Sequence, residues 1–159
     1  MGYFSIANFW EADRRTARAG ESMQQGAVVK VLDWGDGQHK LLKLTTGDTV
    51  AAGQYGVAYK VGTEPNQVES STANTTLLGS RQITIVSGDY VVEIRPRAIL
   101  EYSMDLVHSS MATFQNVGTA LGVLAGQWCT TGTGSAVTAP VMGRVYRYFG
   151  TSRVLVELL

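Results

Sequence analysis

The stretch Val141-Met142-Gly143-Arg144-Val145-Tyr146-Arg147-Tyr148-Phe149-Gly150-Thr151-Ser152-Arg153-Val154-Leu155-Val156-Glu157-Leu158-Leu159 reads as two β-strands joined by a short turn. Val141, Gly143 and Val145 alternate with Met142, Arg144, Tyr146 and Tyr148. Beyond the turn at Phe149-Gly150-Thr151-Ser152, Val154, Val156 and Leu158 alternate with Arg153, Leu155 and Glu157. A period of two places each set of side chains on one face of a sheet. With Leu158-Leu159 following and no polar tail, the closing strand is expected to be paired inside the body.

The same signature recurs upstream. Ala27 to Leu32 and Lys40 to Leu44 flank Asp33-Trp34-Gly35-Asp36-Gly37-Gln38-His39, whose glycines suit a hairpin connection. Thr45-Thr46-Gly47-Asp48 is a second turn, and Val50, an Ala51-Ala52-Gly53 corner and Tyr55 to Val61 continue as strand. Arg81 to Val86 and Tyr90 to Arg95 are expected to pair across Ser87-Gly88-Asp89. Leu100, Tyr102, Met104 and Leu106 alternate with Glu101, Ser103 and Asp105, which gives a strand with one buried face. His108 to Gln115 reads as a loop or one helical turn. Val117 to Val123 with Gln127-Trp128 forms a further hairpin, closed by the Thr130 to Ser135 loop. Many short strands between glycine turns predict an all-β fold, a barrel or a sandwich.

Two segments stand apart from this pattern. Residues 1–25 begin with Tyr3, Phe4, Phe9 and Trp10 and continue through Arg14, Arg15 and Arg18, so they read as an N-terminal arm ahead of a single domain over 26–159. Asn8 with Glu11 imitates a capping box, which predicts a short helix from Phe9 to Arg18. The polar stretch Gly62 to Ser80 is longer than the usual connection in a compact domain. Its Asn74-Thr75-Thr76 fits a glycosylation acceptor, but Met1 to Ile6 does not read as a signal peptide and modification is not expected.

Composition bounds the function. Lys+Arg 13 against Asp+Glu 13 leaves zero formal charge, so there is no electrostatic footprint for nucleic acid or an anionic membrane. A charged fraction of 16% beside 45% apolar residues suits a surface turned partly toward protein partners. Cys129 is the single cysteine, which rules out an intrachain disulfide and a cysteine-based metal site in one chain. The longest weakly polar run, Val117 to Gly126, is far short of the ~20 apolar residues of a membrane helix. The chain is expected to be soluble and not exported by a cleavable signal.

Candidate chemistry is sparse. Cys129, His108 and Asp105 supply the residue types of a thiol nucleophile with base and orienting acid, against which stands the apolar neighbour Trp128 of a core cysteine. His39 and His108 lack any metal-ligand spacing. Glu93 with Glu101, and Asp33 with Asp36, read as strand-surface and turn residues rather than acid–base pairs. Gly132-Thr133-Gly134 lacks the Lys-Ser/Thr of a phosphate loop. Trp34, beside Asp36 and His39, is a candidate stacking or partner-contact residue, or folds back on its own hairpin. Arg14-Arg15-Thr16-Ala17-Arg18 and Arg95-Pro96-Arg97 are short basic clusters of the kind that usually form solvated faces. No catalytic, cofactor or metal residue is assigned.

Val117-Gly118-Thr119-Ala120-Leu121-Gly122-Val123, Gly126-Gln127, Val141-Met142-Gly143-Arg144-Val145 and Arg153-Val154-Leu155-Val156-Glu157-Leu158 together resemble the C-terminal half of tailed-phage capsid decoration (cement) proteins. There a G-x-x-L-x-V-x-x-G strand pair leads through a variable loop to a hydrophobic-G-R-V strand and a closing strand of alternating valines. Val50 to Ala58 is similar to the family's turn into an inner strand. The arm and the Gly62 to Ser80 loop have no counterpart in that pattern. The resemblance implies a small β-barrel or β-tulip-like body, often a homotrimer, on the outer surface of an icosahedral bacteriophage head. It also implies the major capsid protein as partner, no enzymatic activity, and a virion location after synthesis in the host cytoplasm. Such a protein binds by area repeated around a trimer, at ~1,200–2,000 Å² per interface, and stabilises the assembled lattice by mass action. The contacts then fall to Tyr3, Phe4, Phe9, Trp10, Arg14, Arg15 and Arg18 of the arm and to the loops at Trp34 and Asn74. The alternative is a carbohydrate- or receptor-binding β-domain of a virion tail or surface structure, with Trp34 and Tyr55 or Tyr59 as stacking platforms.

Overall fold

The computed structural model describes residues 4–8, 11–33, 38–51, 53–60 and 84–159. The expected contact residues Tyr3, Phe9, Trp10, Trp34 and Asn74 lie outside the described residues, as does the Gly62 to Ser80 loop. The fold is all-β, built from a small closed barrel and a six-stranded sheet.

The barrel is made by β2 (Arg14–Ala19), β4 (Val28–Asp33), β5 (His39–Lys43), β6 (Tyr55–Tyr59) and β8 (Tyr90–Ile94), in the circular order β2-β5-β4-β6-β8. Every pairing is antiparallel except β2 with β5, which is parallel. Barrel diameter grows with strand number, so five strands leave a narrow interior. The sequence meets that limit with small side chains: Ala17, Ala19, Val29, Leu41, Ala58 and Val91 form its buried core. At Gly56 even a Cβ would sit 2.6 Å from the Ile94 carbonyl oxygen.

The second sheet has the order β1 (Phe4–Ile6), β9 (Ile99–Ser103), β13 (Arg153–Leu158), β12 (Gly143–Phe149), β10 (Ala120–Leu124), β11 (Gln127–Thr130). Its buried face, including Leu100, Tyr102, Val123, Trp128, Val145, Val154 and Val156, packs on Val28, Tyr55, Val57 and Ile94 from the outer wall of the barrel. The larger core therefore lies between barrel and sheet. The Val154, Val156 and Leu158 face predicted for the closing strand is fully buried, and β13 is paired on both edges. A register shift between Val145 and Arg147 alters the expected alternation of β12, as a β-bulge does. Tyr146 faces out, while Tyr148 turns back toward the core, where its hydroxyl donates to the Met111 carbonyl. Val141 is exposed and Met142 buried, so the alternation holds only from Gly143 to Tyr146.

Although β10 lies between the two strands in the sheet, Gly143 makes room on β12 for the Trp128 side chain of β11. A Cβ there would come within 2.5 Å of the Trp128 ring, which is wholly buried. Gly143→Ala should lower stability by about 1–3 kcal/mol through overpacking, read as a lower denaturation midpoint at unchanged slope. A midpoint equal to the native one would show that the indole has room to move.

Three expectations fail here. The strand expected to run through Leu100, Tyr102, Met104 and Leu106 ends at Ser103, and Met104–Leu106 is a 3-10 turn. The hairpin of 81–86 with 90–95 does not form among the described residues; β7 (Thr84–Ile85) pairs with β3 (Met23–Gln24) instead. The Ser87-Gly88-Asp89 turn does reverse the chain, with Gly88 at φ +93° and Asp89 Oδ2 accepting from Val86 N at 2.9 Å. Both edges of β8, however, are already taken by β2 and β6.

The expected arm and its helix fail for a related reason. Arg14–Ala19 is barrel strand, paired on both edges, and Phe4–Ile6 is sheet strand paired with β9. Asn8 Oδ1 does not cap a helix but accepts from Ile99 N at 2.8 Å. Helix propensity is a weak prior, and pairing with two neighbours overrides it.

Candidate functional site

Because β2 is a strand, its arginines divide between two faces. Arg15 shares the inward register with Ala17 and Ala19, while Arg14 and Arg18 face outward. Arg15 thus enters the open end of the barrel, where Glu93, two residues beyond the inward Val91, is fully buried. Arg15 Nε donates to Glu93 Oε2 and Arg15 Nη2 to Oε1, both at 2.9 Å, a two-pronged pairing that engages both carboxylate oxygens. Glu93, expected on a strand surface, is therefore the buried floor of a polar cluster. His39, expected at a hairpin tip, opens β5 in the register of Leu41, with Nδ1 3.9 Å from Glu93 Oε2.

Above this floor lies a cavity of about 450 Å³ lined by Arg15, Asp33, His39, Gln54 and Arg95, with Val31 and Leu32 as its apolar wall. Arg95 Nε is 3.8 Å from Asp13 Oδ2. The cluster joins residues from five separate stretches. The local sign of it is Val91-Val92-Glu93-Ile94, a lone carboxylate inside an apolar strand.

Elsewhere the surface is apolar at one end of the six-stranded sheet. Past the start of β10, β12 is bordered by the loop 117–119: Gly118 N donates to the Val145 carbonyl at 2.8 Å and Val145 N to the Thr119 carbonyl at 2.9 Å. The loop that carries Val117, 75% exposed, thus borders the bulged part of β12 that carries Tyr146, 45% exposed. Phe114, 56% exposed, packs its ring 4.9 Å from that of Tyr148. Large apolar side chains held open by an ordered backbone are the usual mark of an interaction surface.

Of the other expected site residues, Phe4 is 1% exposed and stacks on Tyr102 at 5.0 Å, so it is a core residue and not a contact residue. Arg14 is exposed. Arg18 lies over the Tyr90 ring at 4.3 Å, with its guanidinium also hydrogen-bonded to the Tyr90 hydroxyl. Tyr55 is buried and its hydroxyl donates to the Leu159 carbonyl at 2.5 Å; Tyr59 is packed against the core. Neither tyrosine forms an open stacking platform.

The thiol constellation is not assembled. Cys129 is fully buried, and burial pushes its thiol up despite a hydrogen bond to Thr133. His108 Nδ1 accepts from Ser110 N at 3.1 Å, and Asp105 is hydrogen-bonded to Ser103. Among the described residues, no group of three or more His, Cys, Asp or Glu could hold a metal ion. The sequence matches no protein-family model and no curated protein.

Proposed function

We propose that the protein is a structural virion component, a capsid decoration protein that binds the major capsid protein on the outer surface of an icosahedral phage head and stabilises the lattice. The observation that supports this best is the set of exposed apolar side chains Phe114, Val117 and Tyr146, which lie within or beside the stretches that resemble the cement family. A β-tulip-like body acting as a homotrimer would present that set three times, adding avidity without strong net charge. Arg14 and Arg18 remain outward contact residues on this reading; Phe4 does not.

Light scattering followed by co-sedimentation with tailed-phage heads from the same source tests the proposal. The expected result is a trimer-sized mass and stoichiometric pelleting. The double variant Phe114→Ser/Val117→Asp should weaken head binding by at least about tenfold, since buried anchors commonly contribute more than 1 kcal/mol each. Its thermal midpoint should barely change, because both side chains are exposed. A native protein that stays in the supernatant would overturn the reading.

A further inference from the structure

The open end of the barrel has a chemistry that the decoration reading leaves unused. Its volume, about 450 Å³, is that of a small-ligand pocket. Polar side chains converge on it from β2 (Arg15), the end of β4 (Asp33), the start of β5 (His39), the corner before β6 (Gln54) and the residue after β8 (Arg95). The site is preorganised from below, because buried Glu93 fixes the Arg15 fork with two hydrogen bonds. His39 Nδ1 and Arg95 Nε are buried and make no hydrogen bond. Their carboxylate neighbours, at 3.9 and 3.8 Å, are too far away. The exposed parts of both side chains are therefore their other atoms.

Charge balance decides which ligand fits. Among the described residues, two guanidinium groups, Arg15 and Arg95, meet two carboxylates, Asp33 and Glu93, and Asp13 adds a third beside Arg95. Such a mouth gives no net attraction to phosphate or another small anion, and the arginines oppose a cation. What it does offer is donors (Arg15, Arg95, the Gln54 amide) close to acceptors (Asp33, the Gln54 carbonyl), beside the apolar Val31 and Leu32. A hydroxyl both donates and accepts, so a ligand bearing several hydroxyls can satisfy both kinds of group at once. We infer that the barrel mouth is a binding site for a neutral polyhydroxylated ligand of mono- or disaccharide size. This inference does not depend on the decoration reading.

The test is a titration of the isotope-labelled full chain, followed by NMR, with D-glucose, D-galactose and N-acetyl-D-glucosamine, and with inorganic phosphate and tetramethylammonium as charged controls. At least one sugar should give saturable shifts at His39, Gln54 and Arg95, and neither control should. Arg95→Gln and Asp33→Asn should each weaken that sugar by about tenfold, the usual worth of a hydrogen bond to a charged group. Gln54→Ala, at an exposed position away from the Arg15–Glu93 pair, should weaken it by a smaller factor and serves if either charge variant fails to fold. Saturable binding of phosphate or tetramethylammonium, linear shifts with every sugar, or sugar affinity unchanged in the folded variants would each overturn the proposal.

Discussion

Replacing Arg15 by alanine should destabilise the fold by about 3 kcal/mol, the lower end of the 3–5 kcal/mol seen when one partner of a buried ion pair is removed. Glu93 has no exposed surface, and Arg15 occupies both of its oxygens. The truncated variant leaves a carboxylate in a barrel interior where, among the described residues, the His39 imidazole, with Nδ1 at 3.9 Å, is the remaining ionisable neighbour. The lower end applies because the Arg15 side chain is 31% exposed and water can enter the space it leaves. Against a total stability of about 5–15 kcal/mol, this loss is large.

The double variant Arg15→Met/Glu93→Leu separates charge from packing, since well-packed apolar replacements of a buried pair are often neutral or stabilising. Urea unfolding should show the single variant far below the native midpoint and the double variant close to it. A single variant within 1 kcal/mol of native would mean that Glu93 finds another partner, and the ion pair would then not hold the barrel mouth together.

Gly26→Ala should cost about 2–5 kcal/mol, from two terms that can be measured apart. Gly26 has φ +84°, a left-handed conformation costing an ordinary residue about 1–2 kcal/mol. A Cβ there would also lie 2.6 Å from Phe4 Cδ1 and 2.8 Å from Tyr102 Cε1, in a core where overpacking costs about 1–3 kcal/mol. The Tyr102 ring is further held by its hydroxyl, which donates to the Gly26 carbonyl at 2.7 Å. Gly88 provides the control: its φ is +93°, but a Cβ there would meet nothing within 4 Å. Gly88→Ala should therefore show the backbone term alone, and the excess in Gly26→Ala is the steric term. Equal losses would show that the two rings yield without cost. Gly26 N also donates to the Ala58 carbonyl, so this residue links barrel to sheet, and the damage should reach both.

The sequence by itself determined what a few neighbouring residues can decide. The alternation of Val154, Val156 and Leu158 defined the buried face of β13, and the turns at Phe149-Gly150-Thr151-Ser152 and Thr45-Thr46-Gly47-Asp48 sit where their residue types placed them. The expected hairpins of Ala27 to Leu32 with Lys40 to Leu44 and of Val117 to Val123 with Gln127-Trp128 also formed, with their ends shifted to 28–33 with 39–43 and 120–124 with 127–130. Side-chain period and tight-turn preference are properties of adjacent peptide units, so they need no distant partner.

Only the tertiary structure decided which strands meet. Arg14–Ala19 became a barrel strand because β8 and β5 were there to bond both its edges, which turned a basic cluster into one inward and two outward arginines. That pairing brought Arg15 to Glu93, 78 residues away along the chain, and gathered Asp33, His39, Gln54 and Arg95 around them. It also made Phe4 a core residue where its aromatic neighbours in sequence suggested a contact arm. A charged residue shows in sequence only its type. Whether it is floor, wall or surface depends on the closure of the barrel, a long-range event with no local periodicity.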